Sequence, residues 1–141
     1  MIQRIQTVWL FLAALFAALT YKIPFYKYIG SKLSPENKPI LKDLVASSDF
    51  LLLLFTAGLT AGCVIIIFLY KNRKQQLWLT VVAAGLSIIN IVLYFANIKR
   101  IESGGMSLGA LFAFAIPIFL GLAIKGIWKD EKLVKSLDRL R

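Results

Sequence analysis

Few side chains in this 141-residue chain could do chemistry, and most of them lack the partners that chemistry needs. Histidine is absent, which removes imidazole ligands and the commonest general base. The single cysteine, Cys63, lies inside an apolar run, so no disulfide forms within the chain. Glu36, Asp43 and Asp49 precede the second apolar run and Glu102 follows the third. They could form a carboxylate group on one side of a membrane, but solvated loop charges account for them. No clustered metal ligands, no nucleophile beside a base and no glycine-rich phosphate loop can be found. The expectation is a protein that is not an enzyme and holds no metal or cofactor. What remains is neutral: Thr56, Thr60, Asn90 and Asn97 sit within apolar runs. They would hydrogen-bond between helices, at about 0.6–2 kcal/mol each. The sharper alternative is a path for a neutral solute. Intramembrane transport sites usually show an ionisable residue, and no run has one at its middle.

The elements that carry these residues follow from composition. The chain is 59% hydrophobic, and its apolar residues are gathered into long uncharged runs, which is the signature of membrane helices. Four spans are predicted, at 5–21, 50–70, 77–98 and 105–128, forming one domain over 1–141. Arg4 followed by an apolar stretch also fits a signal peptide, but no Ala-x-Ala cleavage site follows, and a retained span is expected. Ser47, Ser48 and Asp49 offer N-caps for the second span. An outer loop covers 22–49. Its aromatic stretch Ile23–Gly30 suits the headgroup level or a short hairpin, and the spacing of Ile40, Leu41, Leu44 and Val45 predicts a short interfacial helix after Pro39.

Net charge is +10, yet the lysines and arginines lie between and beside the apolar runs, so they read as orientation signals and not as a nucleic-acid surface. Ten fall on the side of both termini and seven on the other, and the turn Lys71–Gln76 is densely basic. Both termini are therefore expected in the cytoplasm.

Small and polar residues mark the faces that should pack. Close backbone approach and interhelical hydrogen bonds hold helices together in lipid. The second run carries Gly58 and Gly62 as a small-xxx-small element. The third carries Thr80, Ala83, Ser87, Asn90, Tyr94 and Asn97 at alternating spacings of three and four. The fourth carries Gly105, Gly109, Ala113, Pro117 and Gly121, with a kink expected at Pro117. The first offers Thr7, Ala14, Ala17 and Tyr21. The glycine element could also serve a homo-oligomer, which nothing else in the sequence supports.

Beyond Trp128 the chain reads KDEKLVKSLDRLR, placing Leu133, Val134, Leu137 and Leu140 on one helical face. A tail over 129–141 should extend the last span as an amphipathic helix, able to lie on lipid, fold back or dock on a protein. This ending, with the opening MIQRIQTVWLFLAA, resembles the small four-span membrane proteins of Bacteroidota catalogued only as a domain of unknown function. The resemblance covers the whole chain. It implies a bacterial inner-membrane protein and brings no activity, cofactor or catalytic residue with it. On that basis Arg4, Asp130, Glu131, Asp138, Arg139 and Arg141 become candidate partner contacts, with Arg4 able to pair with Asp130 or Glu131. The reading is an all-α integral membrane four-helix bundle with an amphipathic cytoplasmic extension. It would be an accessory or scaffold protein contacting lipid or a protein partner through its tail. A small carrier or channel component for a neutral solute is the alternative.

Overall fold

A computed structural model describes residues 3–33, 39–69, 72–101 and 104–138. Four helices form where the apolar runs lie: α1 (Gln3–Leu19), α2 (Phe50–Phe68), α3 (Arg73–Ile98) and α4 (Leu108–Asp138). Three of them, α2, α3 and α4, are long and apolar enough to cross a membrane. The apolar part of α1, Ile5–Leu19, is shorter. Neighbouring helices run antiparallel, and each packs on two others: α1 on α2 and α4, α3 on α2 and α4. The α1 start, α2 end, α3 start and α4 end thus share one end of the bundle, where the Gln6–Asp130 and Gln76–Ile66 contacts form.

The core follows the three-four spacing of each helix. Leu10, Ala13, Ala14 and Ala17 of α1 meet Leu59, Cys63 and Ile66 of α2, Ala83 of α3, and Ile116, Leu120 and Ala123 of α4. The alanines let α1 lie close to its neighbours. The buried stripe of α1 is therefore Gln6, Leu10, Ala13 and Ala17, whereas Thr7 faces out and Tyr21 is half-buried. Large apolar side chains point outward on all four helices, among them Phe11, Ile65, Val92 and Ile118. α4 runs as one helix through Pro117 and on past Trp128.

The fold is not all-α. Residues 22–49 are more than a connecting loop, because β1 (Tyr26–Leu33) and β2 (Pro39–Leu44) pair antiparallel within them. β3 (Gly104–Met106) adds to the other edge of β1, giving the order β2-β1-β3. The interfacial helix expected after Pro39 is thus a strand. β1 alternates half-buried Tyr26 and Tyr28 with exposed Lys27 and Ile29, and its paired edge outweighs the local helical spacing of Ile40–Val45. The fourth helix starts at Leu108, so Gly105 belongs to β3 and is exposed.

The sheet caps the second end of the bundle. Phe25 stacks on Tyr94 with ring centroids 4.3 Å apart and meets Phe95 and Phe114. Leu44, Leu52, Ala110 and Ala113 complete that cluster. Main-chain bonds fasten it: the Phe25 N–H donates to Leu44 O, Ser107 N–H to Phe25 O, Gly109 N–H to Pro24 O, and Ala46 N–H to Thr20 O.

Candidate functional site

The polar groups inside the bundle form three levels. At the end where α1 begins, hydrogen bonds link all four helices in sequence. Gln76 Nε2 donates to Ile66 O at 3.3 Å, joining α3 to a carbonyl near the α2 C-terminus that also accepts from the Leu69 N–H. Arg73 Nη1 donates to Asp130 O at 3.4 Å, joining α3 to α4. The Gln6 side-chain amide donates to Asp130 Oδ2, joining α1 to α4. Gly126 makes room for this last contact, since a Cβ there would stand 2.8 Å from Gln6 Cγ. Asp130 is only 6% exposed, and a hydrogen bond to a buried carboxylate is among the stronger ones available.

This belt corrects one expectation for the tail. Asp130 faces inward on Gln6 and is not a surface for a partner. Glu131 is half-buried beside it. The side chains of Arg4 and Asp138 lie outside the described ones, as do Arg139 and Arg141 entirely.

Asp130→Ala and Gln6→Ala should each destabilise the protein by about 1.5–3 kcal/mol, the range for hydrogen bonds to charged groups. In a double-mutant cycle read by unfolding in detergent micelles, the double variant should lose less than the sum of the singles. Strict additivity would rule the contact out.

The middle level is carried by α3, whose buried stripe is Gln76, Thr80, Ala83, Ser87, Asn90 and Tyr94. Most hydroxyls here return to their own helix. Thr80 donates to Gln76 O, Ser87 to Ala84 O and Thr60 to Thr56 O. One contact that crosses helices is Asn90 Nδ2 to Thr56 Oγ1, at 3.0 Å. Among the described residues, Asn90 Oδ1 and the Tyr94 hydroxyl are buried without a hydrogen-bond partner. Stacked Phe25 closes this level toward the sheet. The third level lies beyond it: Asn97 Nδ2 bonds Asp49 Oδ2 at 3.2 Å and Leu93 O at 3.1 Å. Asn97 therefore ties the end of α3 to the start of α2 and does not continue an interior seam with Asn90.

The glycine stripes divide. Ala113 is buried. Gly109 is in tight contact with the Ile23 and Pro24 carbonyls, and a Cβ would collide with both. At Gly58, Gly62, Gly105 and Gly121 a Cβ would meet nothing within 4 Å among the described residues, so no described neighbour makes a close approach at these four. Gly58 and Gly62 instead line a shallow outward groove with Leu79, Val82 and Leu86.

Two features could have been read from the sequence. Gln76 extends the three-four series of α3 back by one step, and Gln6 is the last amide before the uninterrupted apolar part of α1. Pairing Gln6 with Asp130 across 124 positions had no local signal.

As for catalytic constellations, the described residues bring no three His, Cys, Asp or Glu side chains together as a metal-binding group. Cys63 is buried among apolar side chains. No curated protein and no solved structure matches the chain. The model of one family, a domain of unknown function designated DUF4293, matches residues 2–140, and this chain, helices, strands and tail together, belongs to that family.

Proposed function

We propose that this is a non-enzymatic four-span protein of the bacterial inner membrane, with both termini cytoplasmic, that serves as an accessory subunit by docking a partner protein on the extension of α4. The observation that carries the reading is the way α4 leaves the bundle. Asp130 locks the helix to α1 and α3, and past that point Leu133 and Val134 remain 45% and 40% exposed on the same helix. A rigidly held helix with an open apolar face suits recognition as a helix laid in a groove. That α1 acts as the fourth span is supported by its exposed Val8, Phe11 and Leu15, which match the outward apolar faces of the longer helices. The orientation rests on the excess of basic residues at the Asp130 end.

Truncation after Glu131 keeps the Gln6–Asp130 contact and removes the docking face. A photo-crosslinker placed at Ser136 in cells should give a discrete adduct that Leu133→Asp/Val134→Asp abolishes, with protein level and membrane integration unchanged. An adduct insensitive to that pair would sink the docking face. Orientation has its own readout. In intact cells a membrane-impermeant thiol reagent should label Lys42→Cys and spare Gln75→Cys, and the reverse pattern would overturn the topology. The native Cys63 is buried and should not interfere.

A further inference from the structure

The outward stripe of α4 changes from apolar to basic without changing direction. Leu111, Phe114, Ile118 and Leu122 are exposed on the side opposite the buried Ile116, Leu120, Ala123 and Ile127. At about 100° per residue, Lys125, Trp128, Lys129 and Lys132 continue the same stripe. All four are exposed, Trp128 at 65%. The two acids of this stretch stand elsewhere on the helix. Asp130 is turned in upon Gln6, and Glu131 is half-buried, each about 100° or more from the centre of the stripe. On the adjoining helix, Lys74 is exposed at the same end of the bundle and Arg73 flanks Asp130. The stripe is therefore a positive surface with no acidic side chain on its own face, joined end to end with an apolar surface.

We propose that this stripe binds an anionic phospholipid through its phosphate-diester headgroup, in the leaflet at the Asp130 end, with the acyl chains along Ile118 and Leu122. The inference rests on α4 crossing the bilayer. Lys125 to Lys132 covers about 10 Å of helix, slightly more than the ~5–8 Å depth of one headgroup layer. Lys125 reaches up from the hydrocarbon edge, Trp128 sits at the interface, and Lys129 and Lys132 face the phosphates. A soluble anion lacks this footing. The lysines are open to water on a convex surface, where an isolated ion pair is worth little. A lipid is already held against the apolar part of the same stripe, so its headgroup meets the lysines at high local concentration.

The test uses the full chain reconstituted in equimolar phosphatidylglycerol and phosphatidylcholine, with retained lipid read by native mass spectrometry. The wild type should retain phosphatidylglycerol in preference. Lys125→Gln/Lys129→Gln/Lys132→Gln should reduce that preference by about fivefold per lysine. The corresponding arginine triple should keep it, as should Lys22→Gln/Lys27→Gln/Lys42→Gln at the opposite end. A glutamine triple that keeps the wild-type ratio overturns the proposal, as does an equal loss from the opposite-end variant. So does a wild type with no preference between the two lipids, whatever the variants do. Alkaline carbonate extraction separates the two readings. Release of the wild type from membranes would refute the spanning helices, whereas a resistant protein without headgroup preference refutes the lipid site alone.

Discussion

Phe25→Ala should destabilise the protein by about 3 kcal/mol or more, the low end for removing a buried aromatic ring. Phe25 is the side chain through which the sheet grips the helices. It is buried, lies parallel to Tyr94 at 4.3 Å, and meets Phe95 and Phe114 at their ring edges or at a tilt. Its backbone is also the hub of the cap, donating to Leu44 and accepting from Ser107. Removing the ring leaves a void between sheet and bundle that rigid backbone on both sides cannot fill. The loss should be local in its first effects. Hydrogen exchange should speed at Tyr26, Ala46 and Ser107, while amides at the belt of Gln6, Gln76 and Asp130 keep their protection. Phe25→Leu should recover part of the loss by refilling volume. Equal acceleration at both ends of the bundle would show that the cap is not a separate unit.

Gly109→Ala should cost at least about 3 kcal/mol, the top of the usual range for overpacking, because what the new Cβ strikes is main chain. The Ile23 and Pro24 carbonyls cross α4 at this point, and the Gly109 N–H donates to Pro24 O. Pro24 cannot easily yield, since its ring restricts φ and Phe25 beside it is anchored in the core. The same substitution at Gly58 or Gly121 should be neutral or stabilise by up to about 1 kcal/mol. A Cβ there meets nothing, and alanine is the better helix former. Unfolding midpoints of the three variants in one detergent would settle the contrast. A destabilised Gly121→Ala or Gly58→Ala in the monomer would mean that those glycines pack after all.

These opposite outcomes come from residues that look alike in the sequence. Gly109 and Gly121 share a four-residue period with Gly105, and the period alone places all three on one packing face. Small residues at that spacing permit close approach, but they do not say whether a neighbour makes it. Gly109 is covered because the chain returning from α1 passes over it, while Gly121 faces outward. The candidate polar site divides in the same way. The α3 series of Thr80, Ala83, Ser87 and Asn90 was legible, because a helix displays its buried face as a local period. The hydrogen bond from Asn90 to Thr56, and that from Asn97 to Asp49, depend on which helix stands opposite, and no local pattern states it.

The four helices, their approximate limits and the continuity of α4 into its charged end were determined by sequence, since each is set by contiguous apolar length and by 3.6-residue periodicity. The basic stripe of Lys125, Lys129 and Lys132 was fixed equally locally. Tertiary structure decided what depends on contacts distant along the chain. It paired Tyr26–Leu33 with Pro39–Leu44 and recruited Gly104–Met106 as a third strand, since a strand gains its hydrogen bonds only from a partner. It also drew Asp130 inward onto Gln6. In sequence Asp130 is one charge among many in a polar tail. In the fold it is the buried end of a belt through all four helices, and that contact divides the anchored part of α4 from the part left exposed.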